Sequence, residues 1–234
     1  MSFPASSLAN RTVVITGGFG ILGLAAATVA LASSARVALI DRGAAPATLD
    51  PAILAIPDTD LADFEAAQAA FARIVERFGT VDVLLNIAGA FEWRPVAESD
   101  SDLWLRLYRA NVLTAVNASR AALATLRPGA AIVNVAAAAA RRGGNGMAAY
   151  TAAKSGVLRL TESLAEELRP AGVRVNSVSP TIIDTPRNRA DMSDADFSAW
   201  VEPEALAQTM LSLASGETTV VSGADVLVGA PTSG

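Results

Sequence analysis

Short apolar runs alternate with longer helical stretches from one end of the chain to the other, and this alternation restricts the fold more than any other feature. The strand candidates are Thr12–Thr16, Val37–Asp41, Ile53–Ile56, Val81–Asn86, Ala131–Val135, Arg174–Ser179 and Val226–Val228. The helix candidates between them are Gly20–Ser33, Leu61–Phe78, Ser101–Leu126, Met147–Leu168 and Pro203–Ala214. Strands that read as continuous apolar runs are buried on both faces, and parallel neighbours need crossovers, which helices supply. The expected architecture is α/β: a single-domain, Rossmann-type doubly wound parallel sheet of about seven strands with helices on both faces. A chain of 234 residues fits one such domain, 1–234, and no linker or internal repeat divides it.

Two loops stand apart. Gly43–Pro51 is rich in Ala and Pro and reads as a surface connection. Thr181–Trp200 is long, carries Pro186, Arg187 and Arg189 among several Asp, and follows a strand where functional loops gather, so a substrate lid is expected at about 181–202. Its arginines can grip an anionic or carbonyl-bearing substrate or pair with Asp191, Asp194 or Asp196. Phe197 and Trp200 are expected to anchor it to the core.

Composition removes most chemistries. The chain has no cysteine and no histidine, which excludes disulfides, thiolate nucleophiles, Ser-His-Asp triads and the usual zinc ligand sets; no metal is expected. Acid–base work near neutral pH is left to Tyr, Lys or a perturbed carboxylate. A net charge of −5 and a pI near 4.8 argue against nucleic acid as a partner. The mean hydropathy of +0.39 raises the question of a membrane span. The best candidate, Ile21–Ile40, is interrupted by Thr28, Ser33, Ser34 and Arg36, so none is expected. Met1–Arg11 lacks the basic-then-apolar order of a signal peptide, and a cytoplasmic setting is expected.

Val13-Val14-Ile15-Thr16-Gly17-Gly18-Phe19-Gly20-Ile21-Leu22-Gly23 reads as a strand, a glycine turn and a helix. Glycines there let the backbone approach a pyrophosphate at the helix N-terminus, where free N–H groups point outward. Asp41, at the end of the second strand, can accept hydrogen bonds from both adenosine ribose hydroxyls and repel a 2′-phosphate. Phe19 stands where a cation could have held such a phosphate, whereas Arg42 could pair with one. NADH is therefore expected as the cofactor, ahead of NADPH. Asp60, before Leu61, can cap the following helix or meet the adenine amino group. Asn86-Ile87-Ala88-Gly89 ends the fourth strand with small residues that let a ribose pass close to the backbone.

Tyr150 and Lys154 stand four apart in a helical stretch and project from one face, so the ammonium can lower the phenol's pKa for proton transfer. Sites of this type usually add a hydroxyl to hold the substrate oxygen. The run Ala136–Ala140 offers none.

Together these residues resemble the short-chain dehydrogenase/reductase family over essentially the whole chain. The elements that carry the likeness are Gly17 to Gly23, Asp41, Asp60-Leu61, Asn86 to Gly89, Asn111, Tyr150 with Lys154, and Asn176-Ser177-Val178-Ser179-Pro180. The resemblance implies Tyr150 as acid, Lys154 binding the nicotinamide ribose, and Asn111 holding a water in a proton relay. It also places Pro180, Ile183 and Thr185 beside the cofactor and implies a homodimer or homotetramer paired through the two long helices. The family's serine falls at Ala137, Thr181 replaces the glycine usual after the proline, and the glycine spacing 17-20-23 departs from the common form. A narrower likeness, to the quinonoid dihydropteridine reductases, rests on the turn Gly17–Gly23, on Gly143 to Tyr150 and on the segment Asp184–Trp200. Those enzymes have a tryptophan shortly after the fourth strand; Phe91 falls at that place, with Trp93 two residues on. The likeness implies an electron-poor small-molecule substrate such as a quinonoid dihydropterin, needing a hydride and one proton but no oxyanion donor. The alternatives are a general carbonyl or alcohol oxidoreductase, with Asn145 or Thr181 replacing the serine, and a non-catalytic nucleotide-binding scaffold.

Overall fold

The computed structural model describes residues 8–216 and 219–229; most of the segment Met1–Arg11 read for a signal peptide lies outside them. Seven strands form one sheet: β1 Thr12–Thr16, β2 Arg36–Ile40, β3 Leu54–Ile56, β4 Val83–Asn86, β5 Ala131–Val135, β6 Arg174–Pro180 and β7 Asp225–Val228. Their order is β3-β2-β1-β4-β5-β6-β7, with every pairing parallel. Val13 pairs with Val37 on one side and Val83 on the other, so the order reverses at β1 and opens a crevice above its carboxyl end. β1, β4, β5 and β6 are buried at every residue, which is why β1, β4 and β5 are mostly apolar, whereas β6 also buries Arg174, Asn176, Ser177 and Ser179.

Alternation along each strand divides the core. Val13 and Ile15 face a layer with Leu39, Leu85 and Val133, covered by α1 (Ile21–Ala32) and, later in the chain, α7 (Pro203–Ala214) through Ala26, Ala30, Leu206 and Met210. Val14 faces the other layer with Ile40, Leu84 and Ile132. That layer is covered by α2 (Phe64–Phe78), α4 (Thr114–Ala122) and α5 (Ala148–Leu168) through Phe71, Ile74, Ala118 and Leu164. The apolar stretch Ile21–Ile40 is thus a buried helix followed by a buried strand. Among the described residues no helix is long and apolar enough to cross a membrane.

Three expectations are corrected. The helix read from Leu61 begins at Phe64, because Asp63 rather than Asp60 caps it by accepting from Glu65 N–H. Asp60 instead closes its own turn by accepting from Ala62 N–H at 2.9 Å. The stretch Ser101–Leu126 is not one regular helix: α3 (Ser101–Tyr108) passes through a π turn, Arg109–Leu113, into α4, which ends at Ala122. Asn111 lies in that π turn, its amide donating to the Leu107 carbonyl one turn back. Finally, the Thr181–Trp200 segment is not all loop, since α6 (Pro186–Asp191) starts on Thr185, whose hydroxyl accepts from Asn188 N–H.

Candidate active site

The carboxyl ends of β1, β2, β4, β5 and β6 bring the residues singled out by sequence to one edge of the sheet. Gly17 has φ +63°, and a Cβ on it would stand 2.9 Å from the backbone of Ala88, so the glycine turn and the end of β4 touch without room for a side chain. Thr16 Oγ1 fixes that contact by accepting from Ile87 and Ala88 N–H at 3.1 and 3.2 Å. Gly20 caps α1 with no side-chain bond, Ile21 is exposed, Leu22 and Gly23 are buried, and the first turn holds no acidic residue. That end of α1 keeps the positive pole of its dipole clear for an anion.

Asp41 lies one residue past β2. Its carboxylate accepts from Phe19 N–H at 3.0 Å and from Gly43 N–H at 2.8 Å, tying the glycine turn to the loop after β2. Each oxygen retains acceptor capacity toward a ribose hydroxyl. Phe19 packs against the α1 layer of the core. Arg42 and Asp60 line a cavity of about 290 Å³ with Ala62 and, from α3 and the π turn, Leu105 and Arg109. Leu61 is buried, and its carbonyl accepts from Asn117. The close backbone approach at Gly17, the open end of α1 and the Asp41 carboxylate together fit a dinucleotide.

The second group lies above β4 and β5. A Cβ on Gly89 would stand 2.6 Å from Asn111 Oδ1 and 3.3 Å from Lys154 Nζ, so these three residues meet at one point. Asn111 accepts from Ala90 N–H at 3.2 Å and donates to the Ala90 carbonyl at 2.9 Å. Lys154, 5% exposed, donates to the carbonyl of Val135, the last residue of β5, at 2.8 Å. Burial pulls its pKa down to about 8. Tyr150 stands one turn earlier on α5, and burial pushes its phenol up to about 12. The direction is opposite to the depression expected from the ammonium: desolvation alone sets it in the protein without cofactor, while the Lys154 ammonium is itself held against a backbone carbonyl. Asn86, at the head of β4, donates to Ser119 and Asn134 inside the sheet, so its side chain serves the core.

Ala136 and Ala137 are buried, and Ala137 leads into a short turn, Ala138–Arg141, pinned by Ser155 and by the Arg141–Asp225 pair. Asn145 and Thr181, the sequence's candidates for a replacement hydroxyl or amide, are both exposed. Pro180 ends β6, while Ile183 bridges to Val201 and packs on the core. Thr185 commits its hydroxyl to capping α6. In the segment after β6, Arg187 reaches Asp191, as one sequence reading had it, but Arg189 pairs with Asp184 through two bonds of 2.6 Å, a partner the sequence reading did not name. Trp200 is buried and packs at 4.7 Å against the tilted ring of Phe197, and the adjoining Val201 joins the core.

Sequence reasoning missed the Val135 carbonyl and the contacts of the stretch after β4. Phe91 packs edge-on against Tyr150, Glu92 binds Arg94 and Arg106, and Trp93 donates to the Asn145 carbonyl. The one available signal was the run Gly143 to Gly146, where a close neighbour was to be expected.

The sequence profile of the short chain dehydrogenases matches residues 11–196, which include the glycine turn, Asp41, Asn111, Tyr150 and Lys154. The chain belongs to the short-chain dehydrogenase/reductase family. Among similar relatives, L-rhamnose 1-dehydrogenase (NAD(P)+) of Azotobacter vinelandii is 33% identical, covering 94% of this chain and 96% of its own. Trans-4-hydroxycyclohexanecarboxylate dehydrogenase of Sinomonas cyclohexanicum is 31% identical, covering all of this chain and 97% of its own. The solved short-chain dehydrogenase/reductase of Serratia marcescens superposes with a TM-score of 0.87 at 27% identity, over 95% of this chain and 97% of its own. As in the family at large, the chemistry is oxidoreduction with a nicotinamide dinucleotide. Neither named substrate is a pterin.

Proposed function

We propose that this chain is an NADH-dependent reductase of an electron-poor, conjugated substrate of the quinonoid dihydropterin type, with Tyr150 as the proton donor. The observation that carries this reading is Ala137: the place of the family's serine is filled by a buried side chain with no donor. A ketone develops alkoxide charge as it is reduced, and losing one donor to such an oxygen costs roughly 10²–10³ in rate. A conjugated imine whose reduction restores an aromatic ring needs no such donor, only a hydride and a proton.

When bound, the dinucleotide supplies the hydride. Gly17, Gly20 and the first turn of α1 hold its phosphates, with Ile21, Leu22 and Gly23 forming that turn. Asp41 takes the adenosine ribose and favours NADH over NADPH. Asp60 and Arg42 flank the adenine end, and Leu61, Asn86, Ala88 and Gly89 shape the wall. Lys154 holds the nicotinamide ribose, Pro180, Ile183 and Thr185 border the nicotinamide, and the 181–202 segment closes over the substrate. Tyr150 gives its proton to the substrate, and Asn111 holds a water that refills it.

The exposed Trp104, Leu105 and Tyr108 on α3 support assembly as a homodimer or homotetramer through the long helices. A cytoplasmic setting, where nicotinamide dinucleotides are held, belongs to the same reading. A second reading, an alcohol or carbonyl oxidoreductase, is favoured by the names of the two relatives. An NADH-oxidation assay with quinonoid dihydropterin beside a panel of ketones and sugar lactones separates the two. Turnover confined to the ketones or lactones removes the pterin reading.

A further inference from the structure

The five residues after Gly89 form a strap in which each is tied to a different part of the site. Ala90 exchanges two hydrogen bonds with Asn111. Glu92 accepts from Arg94 at 2.9 Å and from Arg106 of α3 at 2.6 Å. Trp93 donates through its indole to the Asn145 carbonyl at 2.9 Å, and Arg94 N–H donates to the Gly146 carbonyl at 2.7 Å. The Trp93 indole also crowds Gly146, where any Cβ would collide with it. Gly146 stands just before α5, so the strap grips the end of the helix that carries Tyr150.

Between these anchors sits Phe91, held in place by its neighbours on both sides. Its ring meets Tyr150 at 4.9 Å between centroids and 89° between planes. Tyr150 also packs on Leu103, Leu107 and Ala149. An edge-to-face pair of this kind fixes ring orientation as well as burying area. Phe91 itself remains 48% exposed, so one part of its ring covers Tyr150 while the rest faces outward.

We propose that Phe91 is a positioning residue: clamped by the Ala90–Arg94 strap, its ring sets the orientation of Tyr150 and shields the side of the Tyr150 ring that it covers from bulk solvent. The inference rests on Tyr150 as proton donor, but its first test does not depend on turnover. The desolvation that pushes the phenol up to about 12 agrees with a covered ring.

The chain has two tyrosines, and the other, Tyr108, is exposed, so Tyr108→Phe leaves one phenol to be read. In that background, tyrosinate absorbance is read within milliseconds of a jump to pH 11, before unfolding. Phe91 cover holds the phenol above its ordinary value, so in Phe91→Ala a larger fraction of Tyr150 ionises in that jump than in the protein that keeps Phe91. The same variant lowers kcat on the order of tenfold and leaves the cofactor KM unchanged. Phe91→Leu, which keeps apolar cover, recovers part of both effects. An unchanged ionised fraction in folded Phe91→Ala overturns the proposal, and so does a moved titration with unchanged kcat. Full turnover in Tyr150→Phe instead removes Tyr150 as the acid, and the absorbance jump tells this failure apart.

Discussion

The side chain of Lys154 reaches 2.8 Å from the carbonyl oxygen of Val135 and so buries an ammonium at the carboxyl end of the interior strand β5. One carbonyl does not replace the hydration of a cation, and the pKa falls from 10.5 to about 8. In the family this lysine serves the cofactor; in the protein alone it is a source of instability with a defined pH signature.

Between about pH 8 and 10.5 the unfolded chain holds the Lys154 proton that the folded chain has released, so stability rises with pH across that window. The gain is on the order of 3 kcal/mol. Tyr150 acts in the opposite sense, its contribution being complete below pH 10 and lost as pH rises towards 12. The thermal midpoint of the protein without cofactor is expected to climb from pH 7.5 to a maximum near 10. Lys154→Met flattens the climb. Identical profiles for the two proteins between pH 8 and 10 remove Lys154 as its source.

Most strands and helix faces were legible because buried parallel strands are predominantly apolar and crossover helices turn an apolar face to the sheet; β6, which buries Arg174, Asn176, Ser177 and Ser179, is the exception. What was not legible came from choices among equivalent residues. Asp60 and Asp63 are both fit to cap α2, and only the path of the chain selects Asp63. The π turn at Asn111 has no sequence signature, since it follows from a side chain taking the Leu107 carbonyl. Lys154 binds a backbone acceptor, which no residue type can announce. By contrast, α6 had a readable start in Thr185-Pro186, a cap residue followed by proline at the first helical position.

Tyr150→Phe removes the one phenol that α5 presents beside Lys154 and Asn111. Turnover is expected to fall by at least about tenfold, with cofactor binding retained. Steady-state rates and a direct NADH titration check both parts. A variant with unchanged turnover takes Tyr150 out of the mechanism.

Asp41 does two things at once: it holds the glycine turn through Phe19 N–H and presents acceptor capacity at the adenosine end. Asp41→Ala is expected to weaken NADH on the order of tenfold or more, since bonds to a charged acceptor are lost, and to narrow its advantage over NADPH. Fluorescence titration with both dinucleotides gives the ratio. If neither affinity nor ratio changes, the ribose assignment fails.

Ala137→Ser tests what the missing hydroxyl means. Ala137 is extended, at φ −160° and ψ 145°, a conformation serine adopts without strain, and it is 6% exposed, so the added oxygen needs a partner but little space. If the site is built for a conjugated imine, the new hydroxyl leaves dihydropterin turnover within about threefold, because no alkoxide forms on that substrate, and it adds little to ketone reduction, because such a site does not place a ketone oxygen against residue 137. If the chain is a carbonyl reductase working without one of its donors, the same change raises ketone turnover by roughly 10²-fold. Parallel assays of the two proteins on both substrate classes decide between these outcomes. A large gain on ketones alone overturns the pterin reading while leaving Tyr150, Lys154 and the dinucleotide site in their assigned roles.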